Sequence, residues 1–501
     1  MCSSSNYDRG ENFFDVLRNH AATQPDHPAI IDNDRAISYQ ALNRLTDQGA
    51  SNLRRTGLPT GAVIAVALPS GADSLLMSCV IARAGYVLYA LPQNLKQSAI
   101  SSKLNVVNAA AIIVEPGWRK ISDRPQITVS EIFRPMPEII SEHWAGGDDP
   151  AVIGESSGST GQPKFFALSH DSLLQRSRRF ESVLGWSRQE RFLNISPLSF
   201  FFSRRDCCFI LHTGATAVLY QARELSEFVA FVRRAKISHL KLTPIYLRQL
   251  LSISSSGKLL FPELRLLSTT SAPITPEERI KARDTLCHDF ADSYGANEMG
   301  LVARSTPATL RQAPTCVGQI VPDVEAQVVD ADHQLLPPGE IGLARFKAAD
   351  FPDRYLDNAE ATARHFHDGW FYPGDIAAID GEGLLFLKGR SDDAINNAGI
   401  TFYPIEIEQV LLRHPDVREA AVLPWRHPLT GEVAVACVVT GTEKSDPDLG
   451  KFCKSNLAGP LVPKYILRFK ALPKNAMGKI LKPELARNLS AILAGAAAKE
   501  N

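Results

Sequence analysis

The sequence predicts an α/β protein with a large amino-terminal domain of α/β sheets plus a β-rich subdomain, followed by a small α+β carboxy-terminal domain. Three observations lead to this prediction. Apolar runs of strand length alternate with helical patterns in the first half of the 501 residues, which is typical of a parallel α/β sheet. Short strand-like runs joined by Gly and Pro turns occupy residues 324–388, which indicates a β-rich region. Beyond Gly389 a last unit mixes helices and strands.

Strands and helices follow one another regularly through the first half. The helix 71–84, for example, follows the strand 63–68 and ends at Gly85, a residue that commonly terminates helices. The predicted helices of this half are 71–84, 98–108, 171–184, 225–236 and 244–251. The predicted strands are 29–31, 36–39, 63–68, 86–91, 110–114, 191–196, 239–242 and 264–268.

The second half contains the β-rich subdomain and a domain boundary. The predicted strands of the subdomain are 324–329, 341–346, 376–380 and 384–388. The polar run 389–393 then divides the chain into two domains, 1–389 and 390–501. The small domain has predicted helices at 405–414 and 448–457 and strands at 419–423, 433–439 and 466–469.

Composition excludes several classes of protein. Lys and Arg number 54 and Asp and Glu number 54, so no basic excess indicates a nucleic-acid partner. The longest apolar stretch, 74–91, carries Arg83 and predicts no membrane span. The eight cysteines form no C-x-x-C pair, so neither a zinc site nor a disulfide framework is indicated. No signal peptide pattern opens the sequence, and we expect a cytoplasmic protein.

The stretch 154–170, GESSGSTGQPKFFALSH, has the composition of an anion-binding loop. Small residues and hydroxyls, Ser157, Ser159 and Thr160 among them, precede Lys164 between two apolar runs. Glycines let the backbone approach an anion closely, while amides, hydroxyls and the lysine attract it. The pattern differs from G-x-x-x-x-G-K-[ST], because Lys164 follows a proline. A flexible surface loop is the alternative.

Five segments in collinear order resemble the adenylate-forming superfamily of acyl-CoA synthetases, nonribosomal adenylation domains and luciferases. The resemblance covers nearly the whole chain. It rests on SSGSTGQPK (156–164), YGANE (294–298), WFYPGD (370–375), GRSDDAINNAGITFYPIEIE (389–408) and PKNAMGKILKPEL (473–485).

The resemblance implies a two-step reaction and its cofactors. A carboxylic acid reacts with ATP to give an acyl adenylate and pyrophosphate, with Mg²⁺ as the metal. The acyl group then passes to the thiol of coenzyme A or of a carrier-protein phosphopantetheine. Because a carboxylate is a weak nucleophile toward an anionic phosphate, such a site must neutralise charge and align the reactants.

The resemblance also implies individual roles. Lys479 is the catalytic residue that bridges the carboxylate and the α-phosphate, and Glu298 is catalytic as the ligand of Mg²⁺, a cation that prefers oxygen ligands. Asp375 receives the ribose hydroxyls with help from Arg390, and Tyr294 lies against the adenine. The ATP-binding residues are Ser157, Ser159, Thr160, Lys164, Tyr294, Asn297, Asp375 and Arg390.

Each role has an alternative on the residues alone. Asn297 replaces the usual threonine, although its amide can still donate to a phosphate oxygen. Arg390 has the alternative of an ion pair with Asp392 or Asp393. The remaining alternatives are an ordinary exposed lysine for Lys479, a turn aspartate for Asp375, a solvated carboxylate for Glu298 and a core position for Tyr294.

The second half-reaction implies movement of the small domain. In proteins of this family that domain rotates about a hinge residue, which corresponds here to Asp392. Gly399 corresponds to the path of the pantetheine, where the lack of a side chain leaves room. Coenzyme A and a carrier-protein arm share this tunnel, so the motif does not separate them.

The segment after Pro197 predicts the acyl pocket. Related amino-acid-activating domains have an aspartate there that pairs with the substrate ammonium, and Phe201 occupies that position. A buried, unpaired ammonium is costly, so we expect ordinary α-amino acids to be disfavoured. Phe200, Phe201 and Phe202 indicate an apolar or aromatic acid, with a core-only role as the alternative for Phe200 and Phe202. Arg205 either meets a polar substrate end or bonds to a neighbouring carboxylate such as Asp206. The predicted pocket residues are Phe201, Phe202, Arg205 and Thr270, the last where glycine is frequent.

Three functions remain open at this point: an acyl-CoA ligase, a free-standing enzyme that loads an acyl or peptidyl carrier protein, and a catalytically silent nucleotide-binding sensor. Lys164, Glu298, Asp375 and Lys479 argue against the silent sensor. No carrier domain follows Lys479 in this sequence, which favours coenzyme A. The expected partner is a small-molecule carboxylic acid.

Overall fold

The computed structural model describes residues 10–33, 35–120, 122–135, 139, 145–157, 163–220, 224–397, 399–427, 431–441, 448–474 and 478–497. Strands and helices alternate through its first part, as the sequence predicts. The elements up to residue 132 are α1 (Val16–Thr23), β1 (Pro28–Asp32), β2 (Arg35–Ser38), α2 (Tyr39–Arg54), β3 (Val63–Ala67), α3 (Ala72–Arg83), β4 (Val87–Ala90), α4 (Gln97–Val106), β5 (Ala109–Val114), β6 (Gln126–Thr128) and α5 (Val129–Ile132).

The next part supplies most of the strands that surround the site. Its elements are β7 (Pro150–Ser157), β8 (Pro163–Ser169), α6 (His170–Leu184), β9 (Arg191–Asn194), α7 (Phe201–Thr213), β10 (Thr216–Leu219), α8 (Leu225–Arg234), β11 (His239–Leu242), α9 (Pro244–Ile253), β12 (Leu266–Thr269), α10 (Pro276–Thr285) and β13 (Phe290–Ala296). Helix α6 begins where Ser169 accepts a hydrogen bond from the backbone of Ser172, and it ends at Gly185 in the left-handed conformation.

Antiparallel strands follow, and then a separate small unit. The β-rich part comprises β14 (Gly300–Arg304), α11 (Pro307–Gln312), β15 (Gly318–Ile320), β16 (Glu325–Val329), β17 (Gly342–Lys347), α12 (Ala359–His365), β18 (Phe366–His367), β19 (Trp370–Phe371), β20 (Asp375–Ile379) and β21 (Leu384–Arg390). After a 3₁₀ turn at Ser391–Asp393, the small unit comprises β22 (Ile395–Asn397), β23 (Ile400–Phe402), α13 (Pro404–Leu412), β24 (Val417–His427), β25 (Gly431–Thr440), α14 (Leu449–Asn456), the 3₁₀ turn Gly459–Leu461, β26 (Tyr465–Arg468) and α15 (Lys482–Ala497).

The strands of the described residues form three sheets. A six-stranded sheet has the order β6-β5-β3-β4-β7-β8, and a five-stranded sheet of the small unit has the order β23-β22-β25-β24 with β26 beside β25. The large sheet runs β18-β19-β17-β20-β21-β15-β14-β13-β12-β11-β9-β10-β1-β2, with β16 beside β17. The α/β class and the division into a large and a small domain, as predicted, are confirmed.

The predicted β-rich subdomain is continuous with the parallel strands, a connection that the sequence did not predict. The reason is the length of β13. Its first residues, Phe290 to Asp292, pair in parallel with β12. Its last residues, Ser293 to Ala296, pair antiparallel with β14. One strand therefore joins the two parts, and it ends at the predicted site.

Each domain has its own hydrophobic interior. The helices α3 and α7 of the large domain are buried along most of their length, with Leu75, Leu76, Phe209 and Ile210 fully enclosed. The small unit packs a cluster of its own around Ile407. Among the helices that the structure describes, none combines the length and the apolar character needed to cross a bilayer.

Candidate active site

A cavity of about 1430 Å³ lies beyond the carboxyl ends of β11, β12 and β13, where it meets the small domain. Ligands of open α/β sheets commonly bind at this edge. Nine of the residues predicted for the site line the cavity: Lys164, Phe202, Arg205, Thr270, Tyr294, Asn297, Glu298, Asp375 and Arg390, and Lys479 joins them from the small domain. Residues that are far apart in the sequence thus line one cavity.

Asp375, the first residue of β20, is held from two sides. The Tyr294 hydroxyl donates a hydrogen bond to its Oδ2, and Arg390 Nη1 donates to its Oδ1 at 3.1 Å. Arg390 also donates through Nε to Asp392 Oδ1 at 3.2 Å, so the alternative of a pair with Asp392 holds together with the contact to Asp375. Burial opposes the charge of Arg390, but the two carboxylates outweigh it and raise its pKa. Burial and Asp375 raise the pKa of Tyr294 well above its usual value.

Glu298 follows β13 and is 4% exposed. The Tyr355 hydroxyl donates to its Oε1 at 2.7 Å. Burial, and next the Glu298 carboxylate, raise the pKa of Tyr355, so the hydroxyl stays protonated and keeps donating. Tyr355 therefore orients the carboxylate that the sequence assigns to the metal.

Lys164, near the start of β8, is placed by a histidine. Its Nζ lies 2.7 Å from His365 Nε2 and 5.2 Å from the centre of the Tyr355 ring. His365 Nδ1 lies 2.7 Å from the carbonyl oxygen of Tyr372. Because a carbonyl only accepts, Nδ1 carries the proton and Nε2 accepts from the lysine. Burial lowers the pKa of His365, which favours this neutral form.

The sequence did not predict Tyr355 and His365 as residues of the site. No motif marks them, since Tyr355 lies in a connection and His365 ends α12. Their proximity to Lys164 and Glu298 arises from the fold alone.

We expect Tyr355→Phe to raise the Mg²⁺ concentration needed for half-maximal adenylate formation by about tenfold. The variant leaves a buried carboxylate oxygen without its donor, at a cost of about 1–3 kcal/mol. Titration of adenylate formation with MgCl₂ measures the effect. Tyr246→Phe, at a 44% exposed tyrosine of α9, is the matched control and should leave the titration unchanged. An unchanged titration for Tyr355→Phe would show that Glu298 needs no such support.

Lys479 reaches the cavity on a loop that contacts α9. A Cβ atom on Gly478 would clash with Ile245 Cδ1, and Gly478 has a φ of +82°, so a glycine suits this close approach. Burial lowers the pKa of Lys479, Arg390 lowers it further, and Asp375 opposes the shift. The lysine thus lies in the electrostatic field of Asp375 and of Arg390, which holds that carboxylate.

Asn297 is anchored to the strand that precedes the predicted phosphate loop. Its Nδ2 donates to the backbone oxygen of Glu155 at 2.7 Å, and its backbone carbonyl oxygen accepts from Arg176 Nη1 at 2.9 Å. One amide proton is therefore used within the protein. Ser159 and Thr160 lie outside the described residues, as does the side chain of Ser157.

The predicted acyl-pocket residues separate into two groups. Phe202, Arg205 and Thr270 line the large cavity. Phe201 instead packs against Phe166, with ring centroids 5.4 Å apart, and borders a separate cavity of about 60 Å³. Successive residues of a helix point about 100° apart, so Phe201 and Phe202 of α7 face different spaces. The structure does not bring Phe201 to the wall of the large cavity.

Arg205 bonds to a neighbouring carboxylate, one of the two alternatives. Its Nε and Nη2 donate to Asp206 Oδ1 at 3.0 and 2.8 Å. The arginine side chain is long enough to fold back onto the adjacent residue, although adjacent side chains diverge at their Cβ atoms.

Asp392 and Gly399 lie at the junction of the domains rather than on the cavity wall. Asp392 is in the 3₁₀ turn after β21. Gly399 has a φ of +86°, and a Cβ atom at this position would meet no other atom within 4 Å. Its N–H donates to Asn396 Oδ1 at 3.2 Å. No wall of a thiol tunnel surrounds Gly399 among the described residues in this orientation of the small domain.

The chemistry of the donor set fits a magnesium–nucleotide complex. Within the described ranges, no three His, Cys, Asp or Glu side chains form a cluster able to hold a metal ion alone. Mg²⁺ typically binds through one or two carboxylates together with phosphate oxygens and water. Glu298 offers one such carboxylate, and Lys164 on the same cavity offers an ammonium group to the phosphate oxygens.

Comparison with known proteins identifies relatives across both domains. The AMP-binding enzyme family matches residues 17–345, and the AMP-binding enzyme C-terminal domain matches 406–479. The long-chain-fatty-acid–CoA ligase FadD13 of Mycobacterium tuberculosis is 27% identical, over 95% of this chain and 98% of the relative. The fatty acid–[acyl-carrier-protein] ligase ScoC of Streptomyces coeruleorubidus is 27% identical, over 93% and 94%.

Solved structures agree in fold. The o-succinylbenzoate coenzyme A synthetase of Bacillus subtilis, in complex with ATP and magnesium, superposes with a TM-score of 0.86 at 23% identity, over 95% of this chain and 98% of that one.

Proposed function

This chain belongs to the family of AMP-binding enzymes and is an acid–thiol ligase of the acyl-CoA synthetase type, and we propose that it activates an acid with an apolar or aromatic body and transfers it to coenzyme A. The observation that carries the proposal is the meeting of Lys479 from the small domain with Asp375 and Glu298 in one cavity. We further propose the domain division 1–389 and 390–501.

In the first step, a carboxylate oxygen of the acid attacks the α-phosphorus of ATP, the bond to the β-phosphate bridging oxygen breaks, and pyrophosphate leaves. Lys479 lies between the two anions and lowers their repulsion in the transition state. Asp375 receives the ribose hydroxyls on lone pairs that its bonds to Tyr294 and Arg390 leave available. The phosphates are held by Lys164 together with the hydroxyls of Ser157, Ser159 and Thr160.

Glu298 and the phosphates would hold Mg²⁺, which neutralises the charge of the phosphate groups. Tyr355 and His365 keep Glu298 and Lys164 oriented for this purpose. The ring centroids of Tyr294 and Phe346 lie 5.9 Å apart. In the proposed complex, Tyr294 lies against the adenine.

In the second step, the thiol loses its proton to solvent, its sulfur attacks the acyl carbon, the bond between that carbon and the phosphate oxygen breaks, and AMP leaves. The proposal assigns the hinge to Asp392 and the pantetheine path to Gly399. The exposed position of Gly399 supports this assignment, because the glycine is available to approach the cavity after a rotation.

Carboxylate-dependent exchange of pyrophosphate into ATP, measured across a panel of acids, tests the first step. We expect exchange with apolar or aromatic acids and none above background with α-amino acids. Absence of exchange with every acid, or α-amino acids as the best substrates, would contradict the proposal.

The thiol acceptor has a second candidate, a carrier-protein phosphopantetheine, because one relative is named as a ligase of an acyl carrier protein. Coenzyme A and a phosphopantetheinylated carrier, each supplied with the best acid, distinguish the two. Faster thioester formation on the carrier at equal concentration would replace coenzyme A in the proposal.

A further inference from the structure

The inner end of the cavity is polar, although aromatic rings surround it. Two residues of β11 and one of β12 lie there together with two residues of α7. We call these residues the polar floor: Arg205, Asp206, His239, Lys241 and Ser268. Phe180, Trp186 and Phe202 line the same part of the cavity.

The polar floor lies deeper than the nucleotide groups. Ser268 lies within β12, whereas Thr270 follows the last residue of that strand, and two residues of extended chain span about 7 Å. Lys241 pairs with Ser268 in the register of β11 and β12, so both lie at the same depth. An acid whose reacting carboxylate lies near Lys479 therefore directs its opposite end toward the floor.

The floor carries an excess of positive charge. Asp206 is 1% exposed and Arg205 7%. Asp206 Oδ1 accepts two bonds from Arg205, and its Oδ2 accepts from Lys241 Nζ at 2.6 Å. Burial lowers the pKa of Lys241 while Asp206 opposes the shift. Two cations thus share one carboxylate, in surroundings where uncompensated charge is costly.

The floor also carries an excess of hydrogen-bond donors. Trp186 Nε1 donates to His239 Nδ1 at 2.8 Å. Because an indole N–H only donates, the proton of His239 is on Nε2, which lies 2.9 Å from Ser268 Oγ and donates to it. Burial lowers the pKa of His239 well below its usual value, which keeps this tautomer neutral. The Ser268 hydroxyl proton is consequently directed to another acceptor.

Lys241 and Arg205 add further donors. Of the three N–H groups of Lys241, one meets Asp206, and within the described part of the chain no other acceptor contacts its Nζ. The Nη1 of Arg205 likewise has no acceptor among the described residues, since the two hydrogen bonds to Asp206 use Nε and Nη2. The group complementary to the polar floor is therefore one that carries a negative charge and only accepts hydrogen bonds.

We propose that the polar floor binds a second carboxylate at the far end of the substrate, so that the enzyme activates a dicarboxylic acid with an apolar or aromatic spacer. This inference rests on the proposed function and specifies its substrate class. Lys241, Arg205 and Ser268 contact the distal carboxylate, while Phe180, Trp186 and Phe202 contact the spacer.

The experiment compares matched acids in the pyrophosphate exchange assay. The panel contains dicarboxylic acids from glutaric to sebacic acid and benzene-based diacids, each with its monomethyl ester and with the monoacid that ends in a methyl group at the same length. We expect the best diacid to exceed both analogues in kcat/KM by about tenfold or more, because a site built for hydrogen bonds rejects analogues that lack them.

Lys241→Met tests the floor itself. The variant removes the excess charge but leaves Asp206 paired with Arg205, so no buried charge is orphaned. We expect the preference for the diacid to fall to near unity while the methyl-terminated acid is still activated. Lys258→Met, at an exposed lysine, is the matched control and should keep the preference. Ser268→Ala should lower the preference more mildly, and it supplies the test if Lys241→Met does not fold.

The outcomes separate this inference from the proposed function. A methyl-terminated monoacid or a monoester that equals or exceeds its diacid in the unmutated enzyme would overturn the distal carboxylate and leave the ligase intact. An unchanged preference in Lys241→Met and Ser268→Ala would overturn the floor as its binding site. Absence of exchange with every acid would overturn both.

Discussion

Lys479→Ala is expected to lower single-turnover formation of the acyl adenylate by about 100-fold or more, the loss typical of removing one preorganised group that stabilises transition-state charge. The lysine lies in the field of Arg390 and Asp375 on a loop that contacts Ile245. Its shorter replacement cannot reach between the carboxylate and the α-phosphate. Quenched-flow measurement with radiolabelled ATP and the best acid gives the rate.

A matched variant controls for effects on the small domain. Lys470→Ala removes an exposed lysine of the same domain and should leave the rate within about twofold, since surface substitutions usually cost little. Thermal unfolding of Lys479→Ala should match that of the unmutated enzyme. Near-normal adenylate formation by Lys479→Ala would reject the catalytic role of Lys479, because the variant carries no second substitution that could restore the activity.

Asp392→Pro is expected to separate the two half-reactions. Proline fixes φ and removes a backbone donor, so a hinge at this residue can no longer absorb the backbone change that domain rotation requires. In the structure Lys479 already lies at the cavity, whereas Gly399 does not. We therefore expect pyrophosphate release in one turnover to persist and thioester formation to fall by about 100-fold or more, as for the loss of an essential conformational step.

Asp392→Ala distinguishes the backbone from the side chain. It also removes the ion pair with Arg390, but it leaves φ free, so thioester formation should be largely retained. Loss of both half-reactions in Asp392→Pro, with a lowered thermal unfolding temperature, would indicate misfolding. Retention of both would reject Asp392 as the hinge.

The sequence predicted the residues that lie within contiguous motifs better than those that the fold brings in singly. Asp375, Arg390 and Lys479 belong to short segments with a recognisable order, and they line one cavity. Tyr355 and His365 have no such segment, because their role follows from contacts to residues far away in the chain. Lys241 was a strand residue of unremarkable pattern, and only the register of β11 beside β12 reveals its position.

Other differences have geometric causes. Phe201 and Phe202 are indistinguishable as sequence neighbours, yet the rotation per residue of a helix directs them to different cavities. The continuity of β13 through both sheet regions was not predicted, because its second half, Ser293 to Ala296, lacks the apolar alternation that indicates a strand. The sequence also left the partner of Arg205 open, and the structure identifies it as Asp206.

The placement of the polar floor has a consequence for how this enzyme can diverge. The groups that meet the far end of the acid lie in β11, β12 and α7. On the nucleotide side, Tyr294 lies near the end of β13, Glu298 follows that strand and Asp375 begins β20. Mutations at Lys241 or Ser268 therefore change the choice of acid without an accompanying loss in the use of ATP. A gene with this architecture can acquire a new acid by a few substitutions while purifying selection maintains its use of ATP.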